Sequence, residues 1–293
     1  MAKEIFWFNG DLQHHEDYSV PITQHCETVR KAGYDFICLQ YKDMQDPSRI
    51  PDARTISSSD FLIISGSEQA FQSCRGLWAH FGLIPFTPPM PDTITDNFNI
   101  RQGLEEVRRR SSDCLIIVHH PADQRWLQED FKRAYEGGAR YMELNPEKTP
   151  LQSAVDLWDQ CLSAGLRFYA NLSTDAHGLG GIRRKGYVSV PASALKADKI
   201  IHALRHGAHV CVEEQCAVRI GKVERPTLVP GDVYSVEAEG TVWTRFIGSG
   251  GQLLDATREM PARYEIRGDE GYVRAELLDA NGRRVFTQPA FKP

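Results

Sequence analysis

Short apolar runs alternate with amphipathic segments along the first two thirds of the chain, and this alternation most constrains the fold. Apolar runs typical of buried strands occur at 5–8, 35–40, 61–64, 114–118, 140–144 and 166–170. Segments with the helical spacing of apolar residues occur at 21–31, 95–110, 124–135, 154–164 and 194–207. Such alternation predicts an α/β fold with a mostly parallel sheet. Because polar residues follow each of these strands, we expect a barrel rather than an open sheet.

The pattern changes after residue 213, where apolar and polar residues alternate with a period of two. The alternation is clearest at 234–238, 241–247, 262–266 and 272–277. Turn-forming pairs such as Pro230-Gly231 and Asn281-Gly282 separate these segments, as expected for antiparallel strands. We therefore predict two domains, a larger α/β domain at 1–213 and a small, β-sandwich-like appendage at 214–293.

The overall composition excludes several classes of partner. The chain has 293 residues and a formal net charge of −5, without a basic tract, so we expect no nucleic-acid partner. No apolar run approaches the roughly 20 residues that span a bilayer, and the start lacks the apolar core of a signal peptide. The seven cysteines are scattered without paired spacing, as is typical of reduced thiols. We therefore expect a cytoplasmic protein with no membrane partner.

One short stretch, residues 10–17, concentrates two imidazoles, three carboxylates and one amide. It follows the first apolar run, which we expect to end in a turn at Asn9-Gly10. The stretch would then lie at the C-terminal end of a strand, where active sites collect in parallel α/β folds. The alternative is an exposed acidic loop without chemistry, and the rest of the chain has to distinguish the two interpretations.

Groups that can bind a metal also follow the other predicted strands. Segment 74–86 is ambiguous and could be a further strand that carries His80. The candidate residues at the strand ends are Gln13, His15, Tyr41, Lys42, Glu68, His80, His120, Asp175 and His177. Each of them has a simpler interpretation as a helix cap, an Asx turn or a buried histidine. Because so many imidazoles and carboxylates share one kind of placement, together they favour a transition-metal site.

Several of these residues stand in motifs that resemble those of the PHP (polymerase and histidinol phosphatase) superfamily. Asp11-Leu-Gln-His-His15 resembles its Asp-Leu-His-x-His opening, and Gly66-Ser-Glu68 resembles its Gly-x-Glu. His120-Pro121 is similar to its His-Pro, and Thr174-Asp-Ala-His-Gly178 resembles its Ser-Asp-Ala-His-Gly. The motifs follow one another in the same order as in the superfamily.

The C-terminal segment 272–291 resembles the β tail of the CehA/McbA-type branch of this superfamily. The resemblance implies a distorted (β/α)7 TIM-like barrel, the PHP fold, followed by a small antiparallel β domain. It also implies metal-dependent hydrolysis, of a phosphoester or, in this branch, of an ester or carbamate. We therefore expect a small-molecule substrate that carries negative charge.

The resemblance further implies which residues share each metal. The first site would consist of His15, Glu68, Asp175 and, as a weak oxygen ligand, Gln13. The second site would consist of Glu68, His80 and His120. A third site would keep only His177, because Val20 and Lys42 stand where the family has ligands. We predict one or two divalent ions, Zn, Mn or Fe, bridged by Glu68.

Roles in substrate binding and proton transfer follow from the same resemblance. His177 would be the acid/base or would orient the substrate, and Lys42 would be a fixed positive charge that holds a substrate anion. Weaker candidates for substrate binding are Tyr41, Arg183 and Arg184. His14 could replace Gln13 as a ligand only after a register shift, because neighbouring strand residues face opposite ways. The lost ligands leave an alternative open, a catalytically lapsed PHP-like protein that binds a metal or a small anion.

Overall fold

The computed structural model of the chain describes residues 4–15, 19–41, 56–86, 98–179, 182 and 186–293. Within these ranges the helices are α1 (Ile22–Lys31), α2 (Ile100–Arg110), α3 (Gln128–Glu136), α4 (Leu151–Ser163) and α5 (Ala197–Arg205). The first strands are β1 (Phe6–His15), β2 (Phe36–Tyr41), β3 (Leu62–Gln72), β4 (Trp78–Ile84), β5 (Leu115–Val118), β6 (Tyr141–Leu144), β7 (Tyr169–Leu172), β8 (Ala176–His177), β9 (Gly186–Ala192) and β10 (Val210–Glu213). The later strands are β11 (Arg219–Glu224), β12 (Val233–Glu239), β13 (Trp243–Gly248), β14 (Gln252–Thr257), β15 (Ala262–Glu265), β16 (Tyr272–Leu278), β17 (Arg284–Thr287) and β18 (Ala290–Phe291).

Most of the strands form one large mixed sheet. Its hydrogen-bonded order is β14-β13-β16-β17-β10-β9-β1-β2-β3-β4-β5-β6-β7, with β8 paired to β1 and β18 to β16. The neighbours β1, β2 and β3 are parallel, and so are β5, β6 and β7, whereas β4 runs antiparallel between the two groups. The predicted α/β class with a large, parallel-rich sheet in the first part is thus confirmed. At the end of this order, β7 also contacts β9 and β10.

The helices each bury an apolar stripe against the sheet. α2 begins after Asn99, whose side chain accepts a hydrogen bond from the N–H of Gln102 while the Gln102 side chain accepts one from the N–H of Asn99. The buried residues Leu104 and Val107 of this helix belong to the main apolar core together with Ile117 of β5. None of the helices in the described ranges combines the length and apolarity needed to cross a membrane.

β1 departs from the predicted turn at Asn9-Gly10. The strand continues to His15, so its polar residues lie within the strand and not in a loop after it. Glycine is needed here for close packing, because a Cβ at Gly10 would lie 2.3 Å from the ring of Phe36. The turn prediction was wrong because Gly10 allows close packing against Phe36 within the strand and does not mark a chain reversal.

Buried polar groups inside the strands are paired with other elements. The carboxylate of Asp11 accepts hydrogen bonds from the backbone N–H of Gln13 and from the hydroxyl of Thr174, at 3.0 and 2.7 Å. β3 likewise continues past the predicted end at residue 64, so Glu68 lies in the middle of the strand. Such partners allow charged and polar side chains to be buried in a sheet.

The ambiguous segment 74–86 contains the strand β4, which carries His80 as predicted. In the ladder between β3 and β4, Ala70 lies opposite His80, and Glu68 lies opposite Gly82. His80 and Glu68 are therefore diagonal neighbours on the same face of the sheet, within reach of each other's side chains. The antiparallel turn between β3 and β4 thus brings a histidine to the glutamate.

The antiparallel strands predicted after residue 213 are present. β11, β12 and β15 form a separate three-stranded sheet, while β17 pairs with β10 and extends the large sheet. A buried ion pair joins β16 to α4. Nε and Nη2 of Arg274 in β16 donate to the two carboxylate oxygens of Asp159 in α4, at 2.9 and 2.7 Å. The strand β9 is absent from the sequence prediction, since Pro191 interrupts its apolar alternation.

Candidate metal centre

Two triads of side chains that could bind a metal ion lie close together on the large sheet. The first consists of His15, Asp175 and His177, and the second of Glu68, His80 and His120. Within each triad the possible ligand atoms all lie within 4.8 Å of one another. The strands β1, β3, β4 and β8 and the turns after β5 and β7 supply these residues. The structure therefore brings together six of the residues that the sequence singled out.

In the first triad, Asp175 lies between two histidines. Its Oδ1 is 3.1 Å from His15 Nε2 and 3.2 Å from His177 Nε2. The other ring nitrogen of His15 lies 2.9 Å from the backbone carbonyl oxygen of Gln40, to which it donates when it carries the proton. This bond selects the tautomer whose free electron pair is on Nε2, facing the triad. The rings of His15 and His177 stack with centroids 4.4 Å apart.

In the second triad, Glu68 collects imidazoles from two strands. Its Oε1 lies 3.3 Å from His80 Nδ1 and 3.7 Å from His120 Nε2. A third imidazole, that of the fully buried His119, lies 3.3 Å from the same oxygen. The sequence prediction missed His119, although the pair His119-His120 was visible in the sequence, because only one residue of the pair was expected to face the site.

The triad atoms pass a test of fit for a divalent ion. Within the described part of the chain, His15 Nε2, His80 Nδ1 and His120 Nε2 are buried and make no hydrogen bond of acceptable geometry. Their nearest carboxylate oxygens nevertheless lie 3.1 to 3.7 Å away. Two ligands that share one ion through bonds of about 2.1 Å are themselves separated by roughly 3.0–3.4 Å. Imidazole nitrogen and carboxylate oxygen are also the donors that Zn, Mn and Fe accept.

The two triads adjoin each other, and we call the site that they form together the basin. Gln13 contacts both triads. His15 Nε2 lies 3.6 Å from Glu68 Oε2, and His120 Nε2 lies 3.9 Å from Asp175 Oδ2. Gln13 Nε2 donates hydrogen bonds to Glu68 Oε1 and to Asp175 Oδ1, at 2.9 and 3.0 Å. Its Oε1, the atom expected to bind metal, is buried and makes no hydrogen bond among the described residues.

Lys148 is a member of the site that the sequence prediction missed. Its Nζ lies 3.0 Å from Asp175 Oδ2, and 37% of its side chain is exposed. The charge of Asp175 raises the pKa of Lys148 against the lowering effect of partial burial, so the ammonium stays protonated. The residue lies four positions after the end of β6, where no hydrophobic pattern indicates that a side chain returns to the strand ends.

The electrostatics of the site favour ionised carboxylates and a neutral His15, whereas the carboxylates around His120 raise its pKa against the effect of burial. Burial alone would raise the pKa of Glu68, but the imidazoles of His119, His120 and His80 hold it well below its usual range. Burial likewise opposes the ionisation of Asp175, yet His15 and His177 lower its pKa. Burial lowers the pKa of His15, so its ring is neutral at pH 7. Neutral imidazole and ionised carboxylate are the forms that bind metal.

Glu143 supports the second triad from behind. Its Oε2 accepts a hydrogen bond of 2.6 Å from the backbone N–H of His120, and its Oε1 accepts one from the hydroxyl of Ser173. Burial raises the pKa of Glu143 to about 7. The backbone φ is +28° at His120 and +52° at Asp175, a left-handed conformation that residues other than glycine rarely adopt. Such strain is typical of functional sites, and here Glu143 holds the strained residue in place.

The remaining predicted residues belong to another cluster or lie outside the described ranges. Tyr41 is buried and belongs to an apolar cluster with Val29 of α1 and Leu39 of β2. Its proposed part in substrate binding stays a prediction. Lys42, Arg183 and Arg184 lie outside the described residues.

A cavity of about 1040 Å³ lies elsewhere in the molecule, between α4 and the C-terminal strands. Its walls include Asp159, Arg245, Arg274 and Arg284, and none of the triad residues. Since the metal-binding donors converge in the other basin, the chemistry is assigned there and not to the cavity.

No protein-family model and no curated protein matches the chain. Similar solved structures include a two-domain protein from Bacteroides vulgatus ATCC 8482 that contains a predicted PHP-like metal-dependent phosphoesterase. It is 16% identical, with a TM-score of 0.50, and the match covers 98% of this chain and 88% of that chain. The chain shares the fold of this protein. Another is PsfC from Pseudomonas syringae PB-5123, 12% identical, with a TM-score of 0.46, covering 63% of this chain and 82% of that chain. Neither match concerns the CehA/McbA-type branch, so that resemblance stays a prediction.

Proposed function

We propose that the chain is a metal-dependent hydrolase that cleaves a phosphoester of a small, anionic substrate, with an ester or carbamate as the alternative bond. The observation that carries this proposal is the pair of triads in one basin, His15/Asp175/His177 and Glu68/His80/His120. The fold shared with a PHP-like protein supports it. Five of these six residues, all except His177, would hold one or two divalent ions, Zn, Mn or Fe, with Glu68 as the ligand common to both triads.

A bound divalent ion would act as a Lewis acid that polarises the scissile bond and lowers the pKa of water towards 7. The residues of the chain prepare the site for this. The carbonyl of Gln40 fixes the ring of His15, and Glu143 fixes the backbone of His120. We assign His177 to proton transfer and not to metal binding, because 51% of its side chain is exposed while its Nε2 lies 3.2 Å from Asp175 Oδ1.

We extend the proposal to the barrel fold, the two domains and the cellular location. The contacts of β7 with β9 and β10 support closure of the sheet into the distorted barrel of the PHP fold, with 1–213 as the metal-binding domain and 214–293 as the β appendage. We propose a cytoplasmic protein without nucleic-acid or membrane partners, in line with its net charge of −5.

One observation favours a second candidate function. The amide of Gln13 already donates to both carboxylates of the basin. An ion between the triads has to replace these bonds, which weakens its binding relative to a site with a further imidazole. The second candidate is therefore a lapsed enzyme that binds a metal or a small anion without turnover.

Metal analysis followed by two assays separates these functions. The protein is purified without added metal, its metal content is determined, and it is tested with aryl phosphates and aryl esters. We expect at least one divalent ion per chain and turnover of the aryl phosphate. Bound metal without turnover of either substrate would support the lapsed enzyme. Absence of metal, with stability unaffected by a chelator, would contradict the hydrolase and the metal-binding lapsed enzyme, and would leave only the anion-binding form of the second candidate.

Glu68→Gln tests the site itself. Replacement of the central carboxylate by an amide should remove most of the bound metal, because a neutral amide is a much weaker ligand. The matched control is Glu105→Gln, since Glu105 is exposed on α2 and pairs with Arg101. Unchanged metal content in Glu68→Gln would show that the ligands are assigned wrongly.

A further inference from the structure

We propose that Lys148 binds the anionic group of the substrate, an inference that rests on the proposed hydrolase function. Its Nζ lies 3.0 Å from Asp175 Oδ2 at the rim of the basin, and its side chain is 37% exposed. Among the ion pairs between described residues, the other cationic partners of the triad carboxylates are histidines. Lys148 therefore brings a permanent positive charge, whereas an imidazole is charged only when it is protonated.

The loop that carries Lys148 is fixed relative to the metal-binding residues. Asn145 Oδ1 accepts hydrogen bonds from the backbone N–H groups of Glu147 and Lys148, at 2.9 and 3.3 Å. Asn145 Nδ2 in turn donates to Glu143 Oε1, at 3.2 Å. The same Glu143 holds the backbone of His120. One carboxylate thus sets the position of a triad histidine and of the lysine loop, so little ordering is needed when a ligand binds.

The two oxygens of Asp175 have different partners. Oδ1 lies within 3.2 Å of Gln13, His15 and His177, whereas Oδ2 lies 3.0 Å from Lys148 and 3.9 Å from His120. One contact with Asp175 uses only part of the donor capacity of an ammonium group, which carries three N–H bonds. Since 37% of the side chain is exposed, we infer that the remaining donors can reach an oxyanion beside the triads. An ammonium suits this task, because it binds phosphate as a point charge from many directions.

A charged lysine also solves an electrostatic problem of the basin. The carboxylates of Glu68 and Asp175 both lie within 3.0 Å of Gln13 Nε2, so two acidic groups lie together where the substrate has to bring a further negative charge. Lys148 neutralises one of them on the exposed side and so makes the rim attractive to anions. A lysine that served only to orient Asp175 would not need to remain exposed.

Binding of inorganic phosphate tests this assignment directly. Calorimetric titration is carried out on the metal-free and on the manganese-saturated full-length protein, with Lys148→Met, Lys148→Arg and Lys199→Met. Lys199 is an exposed lysine of α5 that pairs only with its neighbour Asp198 among the described ion pairs, and it is the matched control. We expect Lys148→Met to raise the Kd for phosphate about tenfold or more, because a charge-assisted hydrogen bond is lost. Lys148→Arg should retain most of the affinity, and Lys199→Met should equal the wild type.

Metal content and substrate kinetics provide the second measurement. Lys148→Met should hold as much manganese as the wild type, and its KM should rise for an aryl phosphate but not for a neutral aryl ester. The assignment would be overturned if Lys148→Met bound phosphate within about twofold of the wild type, or if this variant lost only metal. It would also be overturned if the wild type bound no phosphate. Lysine-dependent phosphate binding by a protein that holds no metal would refute the hydrolase and leave the anion site standing. Turnover of the aryl phosphate that Lys148→Met leaves unchanged would refute the anion site and leave the hydrolase standing.

Discussion

At the scale of single residues, we expect Gln13 to determine how strongly the basin can hold an ion. Its amide nitrogen donates to Glu68 and to Asp175, and so stabilises two carboxylates that would otherwise repel each other. A metal ion between the triads needs the same oxygens. The amide therefore stabilises the metal-free form and lowers the affinity for the ion.

Gln13→His is expected to raise metal affinity. An imidazole at this position removes the competing amide and adds a nitrogen ligand, so the Kd for manganese should fall about tenfold. Competition with a fluorescent chelator measures the Kd. Gln13→Ala is the control, because it removes the amide without adding a ligand and should change the Kd less. Equal affinities for Gln13→His and the wild type would show that Gln13 does not limit binding.

The positions of the ligands were predictable from the sequence only where they depend on strand pattern. His15, Glu68 and Asp175 lie in or just after apolar runs, so their common placement followed from the alternation of strands and helices. His119 could not be predicted, because neighbouring residues normally face opposite ways and the positive φ of His120 changes that rule. Lys148 returns to the site through a loop fixed by hydrogen bonds, which no periodicity records.

At the scale of elements, the sequence predicted where strands begin better than where they end. β1 and β3 start in apolar runs but continue through buried polar residues to His15 and Gln72. A hydrophobicity criterion ends a strand at its first polar group. The partner of that group, such as Thr174 for Asp11, lies far away in the sequence and is not visible in the local pattern.

The contact between β7 and β10 depends on a buried histidine. His209, directly before β10, donates from Nε2 to the carbonyl of Ala170 in β7, at 2.8 Å. Burial lowers the pKa of His209 from 6.5 to about 4. Between these values the unfolded chain binds a proton that the folded chain does not. The free energy of unfolding must therefore fall as the pH falls through this window.

His209→Gln should flatten this pH dependence. The full difference in pKa corresponds to about 3 kcal/mol of stability that is present at neutral pH and lost on acidification towards pH 4. Urea unfolding at about pH 7 and at about pH 4.5 measures the loss, which should be smaller in His209→Gln by most of that amount. His202→Gln, on the exposed side of α5, is the control. The same loss in His209→Gln and in the wild type would contradict this account.

At the scale of the whole molecule, the metal centre joins parts of the chain that are far apart in sequence. The triads draw side chains from residues 15 to 177, while the pairing of β17 with β10 and the ion pair of Arg274 with Asp159 attach the C-terminal strands to the same sheet. The class of the fold was predictable from alternation alone. The continuity of the large sheet into the C-terminal strands was not, because pairing across such distances leaves no local signal.

Metal binding should therefore stabilise the entire fold and not only the basin. An ion that binds the folded chain at about one hundred times its Kd adds about 2.7 kcal/mol to the free energy of unfolding. For a chain of this size, that corresponds to a rise in Tm of roughly 4 °C. Thermal unfolding followed by circular dichroism, with manganese and with excess chelator, measures the shift. Glu68→Gln should show no such shift, whereas Lys148→Met should show all of it, since its ligands are intact. A wild type that unfolds at one temperature under both conditions would rule out an ion in the triads.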